Sequence, residues 1–199
     1  GKAAADTISL IGGAKEILRV SSTLVSGSAQ STGSFGEVNV TRGGLTQRIG
    51  LPPGIANTVF GLAAGTGLTG STASSVIIGT YAGINIRANA NTIIGKDSGR
   101  YLGQAYSQYN VAMGYRALMG TEASSATNSA TQNVALGYQA GLNITTGANN
   151  IIVGYNSGDA ITTTANTVLI GSDAGGAINS ADANGTVAIG YQALQSLTS

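Results

Sequence analysis

Four tyrosines, Tyr115, Tyr138, Tyr155 and Tyr191, each directly follow a glycine of a recurring short motif. Rings repeated in register along a chain can stack into an aromatic ladder able to meet sugar faces or a protein receptor. The same register lets each ring cover the neighbouring repeat, so packing is the competing reading. Arg100, Tyr101, Tyr106 and Tyr109 gather a cation and three rings in one excursion and form a second candidate contact patch. Carboxyl chemistry has less to work with, because the repeats hold only Asp97, Glu122, Asp159, Asp173 and Asp182. A glycan hydrolase needs two carboxyl groups roughly 5 to 9.5 Å apart. Asp97 and Asp173 share a repeat position but lie four repeats apart, about 19 Å at a strand spacing of about 4.8 Å. A pair drawn from two different chains stays open.

Other chemistries fall away on composition. With no His and no Cys, histidine bases, thiolate metal sites and disulfides are excluded, and no metal or cofactor is expected. Gly65-Thr66-Gly67-Leu68-Thr69-Gly70 matches the dinucleotide fingerprint. That motif needs a following helix whose N-terminus holds pyrophosphate, and the residues that follow read as another strand. Leu136-Gly137-Tyr138-Gln139-Ala140-Gly141 fits the unit of hexapeptide acyltransferases, but one hexapeptide per coil and the missing histidine argue against acyl transfer. No catalysis is expected. A net charge of +1 with no basic run gives no reason to expect nucleic acid. No apolar run approaches the roughly 18 residues of a membrane span, and no signal peptide is visible. Beginning Gly1-Lys2 without Met, the chain is expected to be a fragment or a processed product. Three N-glycosylation triplets, at Asn39, Asn143 and Asn184, are expected by chance in so Asn- and Thr-rich a chain.

The elements that must carry these side chains come from an internal repeat. It centres on Gly61, Gly79, Gly95, Gly114, Gly137, Gly154, Gly171 and Gly190, spaced 16 to 23 residues apart. Three residues after each glycine stands a small side chain: Ala64, Ala82, Ser98, Ala117, Ala140, Ser157, Ala174 or Ala193. The residue before each glycine and the one before that are apolar in every unit, from Val59-Phe60 to Ala188-Ile189. A strand-turn unit of this period suits one coil of a parallel β-solenoid. Neighbouring side chains on a strand point to opposite faces, so apolar residues at both positions imply that both faces avoid water. One thin solenoid has a single interior; the second face implies further copies of the chain. On this reading an Asp in place of Ala135 is expected to break the assembly. An Asn precedes the strand in six units (Asn57, Asn91, Asn110, Asn133, Asn150 and Asn166), where its side chain is expected to cap the corner, stacked from coil to coil.

Residues 1–50 hold eight of the seventeen charged residues and no repeat. They read as a β-rich shaft or oligomerisation module: a hairpin around Gly12-Gly13, then an extended piece at Glu37 to Thr41. Pro52-Pro53, the only prolines, mark a neck over 51–56. The solenoid fills 57–199. Its Ser/Thr/Asn/Gly-rich excursions, such as 84–90, 100–109, 119–132 and 176–184, are expected on the outside.

The unit from Asn133 to Ala140, repeated from Thr186 to Ala193, resembles the repeat in the heads of trimeric autotransporter adhesins. That resemblance implies a left-handed parallel β-roll of three chains around an axis. Similar Gly-Tyr-Gln-Ala-Gly repeats occur in bacteriophage tail-fibre and related virion fibre proteins. The region from Asp6 to Val20, with Ser31 to Gly36, resembles their shafts. The coil length is more variable than in adhesin heads, and neither coiled-coil stalk nor membrane anchor is visible, which favours the phage comparison. The implied protein is a homotrimeric fibre segment on a virion or outside the cell. Its partners would be other virion or fibre proteins and a host-surface glycan or protein, with no membrane insertion. A filament subunit, a bacterial adhesin head and a tailspike-type glycan hydrolase are the alternatives.

Overall fold

A computed structural model describes the backbone of the strands Ile8–Gly12, Lys15–Val20, Glu37–Arg42 and Leu45–Gly50, and residues 57–68, 74–87, 89–103, 107–122, 128–179 and 183–196. The neck at 51–56, Tyr106 and Asp182 lie outside the described residues. Contacts divide the chain into two units, Gly1–Gly36 and Glu37–Ser199. In the first, β1 (Ile8–Gly12) and β2 (Lys15–Val20) pair antiparallel as a hairpin, with a register shift between Leu10 and Ile11.

The second unit is one ten-stranded sheet. β3 (Glu37–Arg42) and β4 (Leu45–Gly50) pair antiparallel, and β4 pairs antiparallel with β5 (Thr58–Leu62). From β5 onward every pairing is parallel and in sequence order, through β6 (Val76–Ile78), β7 (Thr92–Ile94), β8 (Val111–Met113), β9 (Val134–Leu136), β10 (Ile151–Val153), β11 (Val168–Ile170) and β12 (Val187–Ile189). Eight parallel strands joined coil by coil form a β-solenoid. The repeat glycines stack in register, since each pairing aligns the residue before one glycine with the residue before the next, as in Leu136 with Val153.

Those glycines end the strands. All eight have φ between 125° and 139°, a region essentially closed to residues with a Cβ. From Gly61 to Gly171, an added Cβ would sit 2.3 to 2.5 Å from the carbonyl oxygen of the next glycine in the column. The backbone then turns through left-handed positions two residues later, occupied by Ala63, Tyr81, Asp97, Arg116, Gln139, Asn156, Asp173 and Gln192.

Within one chain, only the middle residue of each strand points inward. Val59, Ile77, Ile93, Ala112, Ala135, Ile152, Leu169 and Ala188 are buried, whereas their neighbours are exposed or half-buried. Ala135 therefore lines the core of its own coil rather than a face between chains, which corrects the expectation for an Asp there. The small residues after the corner are buried opposite this column, apart from the half-buried Ala193. A third core column, Ile86, Leu102, Ile144, Ile161 and Ile178, comes from the excursions. The excursions are thus not wholly outside: one apolar side chain of each of these five returns to the core, and fully burying such a side chain contributes roughly 1.5 to 3 kcal/mol. Where the strand offers only Ala112 and Ala135, Leu118 is fully buried, and its Cδ2 lies 2.8 Å from where a Cβ on Gly141 would stand. Its bulk fills the volume those alanines leave.

A polar ladder runs beside this core. The Oδ1 of Asn57 accepts from the Ser75 N–H at 2.9 Å, and the Ser75 Oγ accepts from the Asn91 N–H at 3.2 Å. The Oδ1 atoms of Asn91, Asn110, Asn133 and Asn150 then accept from the N–H groups of Asn110, Asn133, Asn150 and Thr167, each at 3.0 Å. The expected stacked Asn corner is present, with one correction. Asn166 is exposed with φ 59°, one residue before the ladder, and Thr167 holds the rung.

Candidate functional site

The position after each repeat glycine holds Leu62, Thr80, Lys96, Tyr115, Tyr138, Tyr155, Ser172 and Tyr191 in coil order. Strand register stacks these residues, so three consecutive tyrosines must meet. The rings of Tyr115 and Tyr138 stack at 5.3 Å and 20°, and those of Tyr138 and Tyr155 at 5.0 Å and 9°. Backbone bonds hold the spacing, with the Gln139 N–H donating to Tyr115 O and the Asn156 N–H to Tyr138 O, both at 2.9 Å. The ladder has a cationic end: Lys96 Nζ lies 5.8 Å from the Tyr115 centroid and the Arg116 guanidinium 4.9 Å from it. Stacking turns the inner ring faces toward one another, so the middle of the ladder presents edges and hydroxyls to solvent. Tyr191 stands apart, separated from Tyr155 by the Ser172 rung. Sequence reading named the four tyrosines but missed Lys96, Arg116 and the gap at Ser172. Aligning the residue after each glycine, as above, is the signal that finds them.

The second patch is a clamp. The Arg100 guanidinium lies 5.1 Å from the rings of both Tyr81 and Tyr101, and its Nη1 pairs with Asp97 Oδ1 at 2.7 Å. Asp97 is buried, so this ion pair neutralises a carboxylate that burial would otherwise penalise. Tyr109 is exposed on the approach to β8, at the left-handed position just before Asn110. It is not among the rings that Arg100 touches.

Among the carboxylates, Glu122 is exposed, and Asp97 is taken by Arg100. Asp159 and Asp173 interact across adjacent coils. Burial pushes the Asp159 carboxyl above its usual range, and the Asp173 charge adds to the shift, against a hydrogen bond from the Ala160 backbone. Ser172 Oγ donates to Asp173 Oδ2 at 3.0 Å. No group of three or more acidic residues able to hold a metal occurs among the described residues. Gly65 and Gly67 form the turn leaving β5, where a Cβ on Gly67 would meet Ile84 O at 2.5 Å, and the next element is strand β6. This fingerprint match is an inter-coil turn. Among the described residues no helix is long and apolar enough to cross a membrane.

No family model, curated protein or solved structure matches the chain.

Proposed function

We propose that this chain is a structural segment of a bacteriophage tail fibre or related virion fibre, assembled as a homotrimer, which extends from the particle and attaches to a host surface. In this reading residues 1–50 are a shaft module and the solenoid is a left-handed roll of three chains. The observation that carries it is the outward apolar column: Phe60, Met113, Ile151, Ile170, Val187 and Ile189 are all exposed. Apolar side chains repeated along one face over eight coils form a contiguous patch of the kind that marks an interface, and a closed symmetric assembly covers it with copies of itself. Eight coils rising about 4.8 Å each make a rod of about 38 Å per segment, which suits a spacer. Attachment draws on the exposed tyrosines, with a host glycan or protein as receptor and other virion proteins at the ends. No reaction is assigned to it.

The outer edge of β12, which has no sheet neighbour beyond β11 among the described residues, favours one other reading: a filament subunit that grows end to end. The purified chain tests both. Saturable binding to host cells or surface glycans by a trimer of fixed mass supports the fibre reading. Open-ended polymerisation with no binding replaces it with the filament.

A further inference from the structure

The tyrosine ladder is interrupted once before its last ring. Adjacent rungs stack at 5.0 and 5.3 Å, so Tyr155 and Tyr191, two rungs apart, are separated by about 10 Å at a strand spacing of about 4.8 Å. One ring inserted between two others needs about 4.5 to 5 Å on each side. From the repeat register we infer that the missing rung at Ser172 forms a slot that takes one neutral pyranose ring, stacked between Tyr155 and Tyr191.

Three features fit this occupant. Tyr155 and Tyr191 are 54% and 73% exposed, so the slot opens to solvent, and the Tyr155 face turned toward Ser172 is not the one stacked on Tyr138. The floor is polar: Ser172 Oγ and the Asp173 carboxylate lie at its base, already linked at 3.0 Å. A hydroxyl beside a carboxylate offers donors and acceptors to sugar hydroxyls. The charge there is negative, since Asp173 also acts on Asp159, while Lys96 and Arg116 sit at the opposite end of the ladder. An anionic sugar is therefore disfavoured. The slot gives the surface attachment proposed above a ligand class and rests on that reading for its role, but it is built within one chain and does not need the trimer.

The test uses the full chain with its tyrosines selectively 13C-labelled, titrated with methyl glucoside, methyl galactoside or N-acetylglucosamine, and with glucuronic acid as the acidic comparator. Expected are saturable shifts of the Tyr155 and Tyr191 ring signals with at least one neutral sugar and weaker ones with the acid. Ser172→Tyr supplies the missing rung and should abolish the shifts while the protein folds, because three other coils carry Tyr at this position. Tyr191→Ala should weaken binding about tenfold, the size of a lost ring contact, and Tyr115→Ala at the far end should leave it unchanged. Absence of saturable shifts with every neutral sugar overturns the slot, as does binding that survives Ser172→Tyr. Shifts that follow protein dilution rather than sugar also overturn it, because they assign the slot to a side chain of a second copy. Native mass recorded on the same samples separates the two proposals: a trimer that binds no sugar sinks the slot alone, and a monomer that binds sinks the trimer alone.

Discussion

Replacing Asn133 by Ala removes one rung of the buried polar ladder. Its Oδ1 accepts from the Asn150 N–H at 3.0 Å, and its Nδ2 donates to Gly147 O at 3.0 Å and to Asn110 Oδ1 at 3.2 Å. Asn110 Oδ1 keeps a partner after truncation, because the Asn133 backbone N–H still donates to it at 3.0 Å. The Asn150 N–H and the Gly147 carbonyl lose theirs in a buried setting. An orphaned buried donor or acceptor costs about 1 to 3 kcal/mol, so the pair should cost about 2 to 5 kcal/mol. That is a large fraction of a typical total of about 5 to 15 kcal/mol. The matched control is Asn166→Gly: the side chain is exposed and the residue's φ of 59° suits glycine, so stability should change by no more than about 0.5 kcal/mol. Urea unfolding followed by far-UV circular dichroism at one fixed chain concentration measures both. Equal effects of the two substitutions, or an Asn133→Ala protein as stable as the parent, would refute the ladder as a stabilising device.

Three further outcomes follow from the same geometry. Gly137→Ala should destabilise by about 3 kcal/mol or more, since its Cβ would stand 2.3 Å from Gly154 O at φ 138°. Gly190→Ala, with nothing within 4 Å, should lose only the backbone strain of about 1 to 3 kcal/mol; thermal melts that fail to separate them would contradict this. Ala135→Asp, in the coil interior, should prevent folding. Met113→Asp and Ile151→Asp, on the exposed face, should leave the strand signal in circular dichroism and lower the native mass. For Asp159, the folded state holds its proton more tightly than the unfolded chain does. Its contribution is therefore most favourable below the ordinary carboxylate range and is lost as pH rises through the raised folded value. Asp159→Asn should accordingly stabilise the protein at pH 7 but not at pH 3, as read by the urea midpoint.

The repeat itself was legible because its constraints fall on residue type. Only glycine tolerates the corner, only small side chains fit beside the strand, and only apolar side chains fill the middle position. Which apolar residue faces inward was not legible, since Ala135 and Leu136 both read as buried and only the side-chain directions separate them. The core column through Ile86, Leu102, Ile144, Ile161 and Ile178 lay inside polar excursions of varying length, although each is seven residues past its glycine. The left-handed position at Ala63, Tyr81, Asp97 and Arg116 leaves no compositional trace, because backbone hydrogen bonding rather than side-chain type holds it. Asn166 looked like its five counterparts because sequence shows residue type more clearly than a one-residue offset. The tyrosine ladder was visible from spacing alone, whereas its mutual stacking and its gap depend on coil register.

The account turns on what covers the outward apolar column from Phe60 to Ile189. Sedimentation equilibrium of the folded chain in dilute buffer measures this most directly. It should return three times the chain mass of 19.6 kDa, with no folded monomer down to micromolar concentration. A folded, soluble species at 19.6 kDa would contradict it.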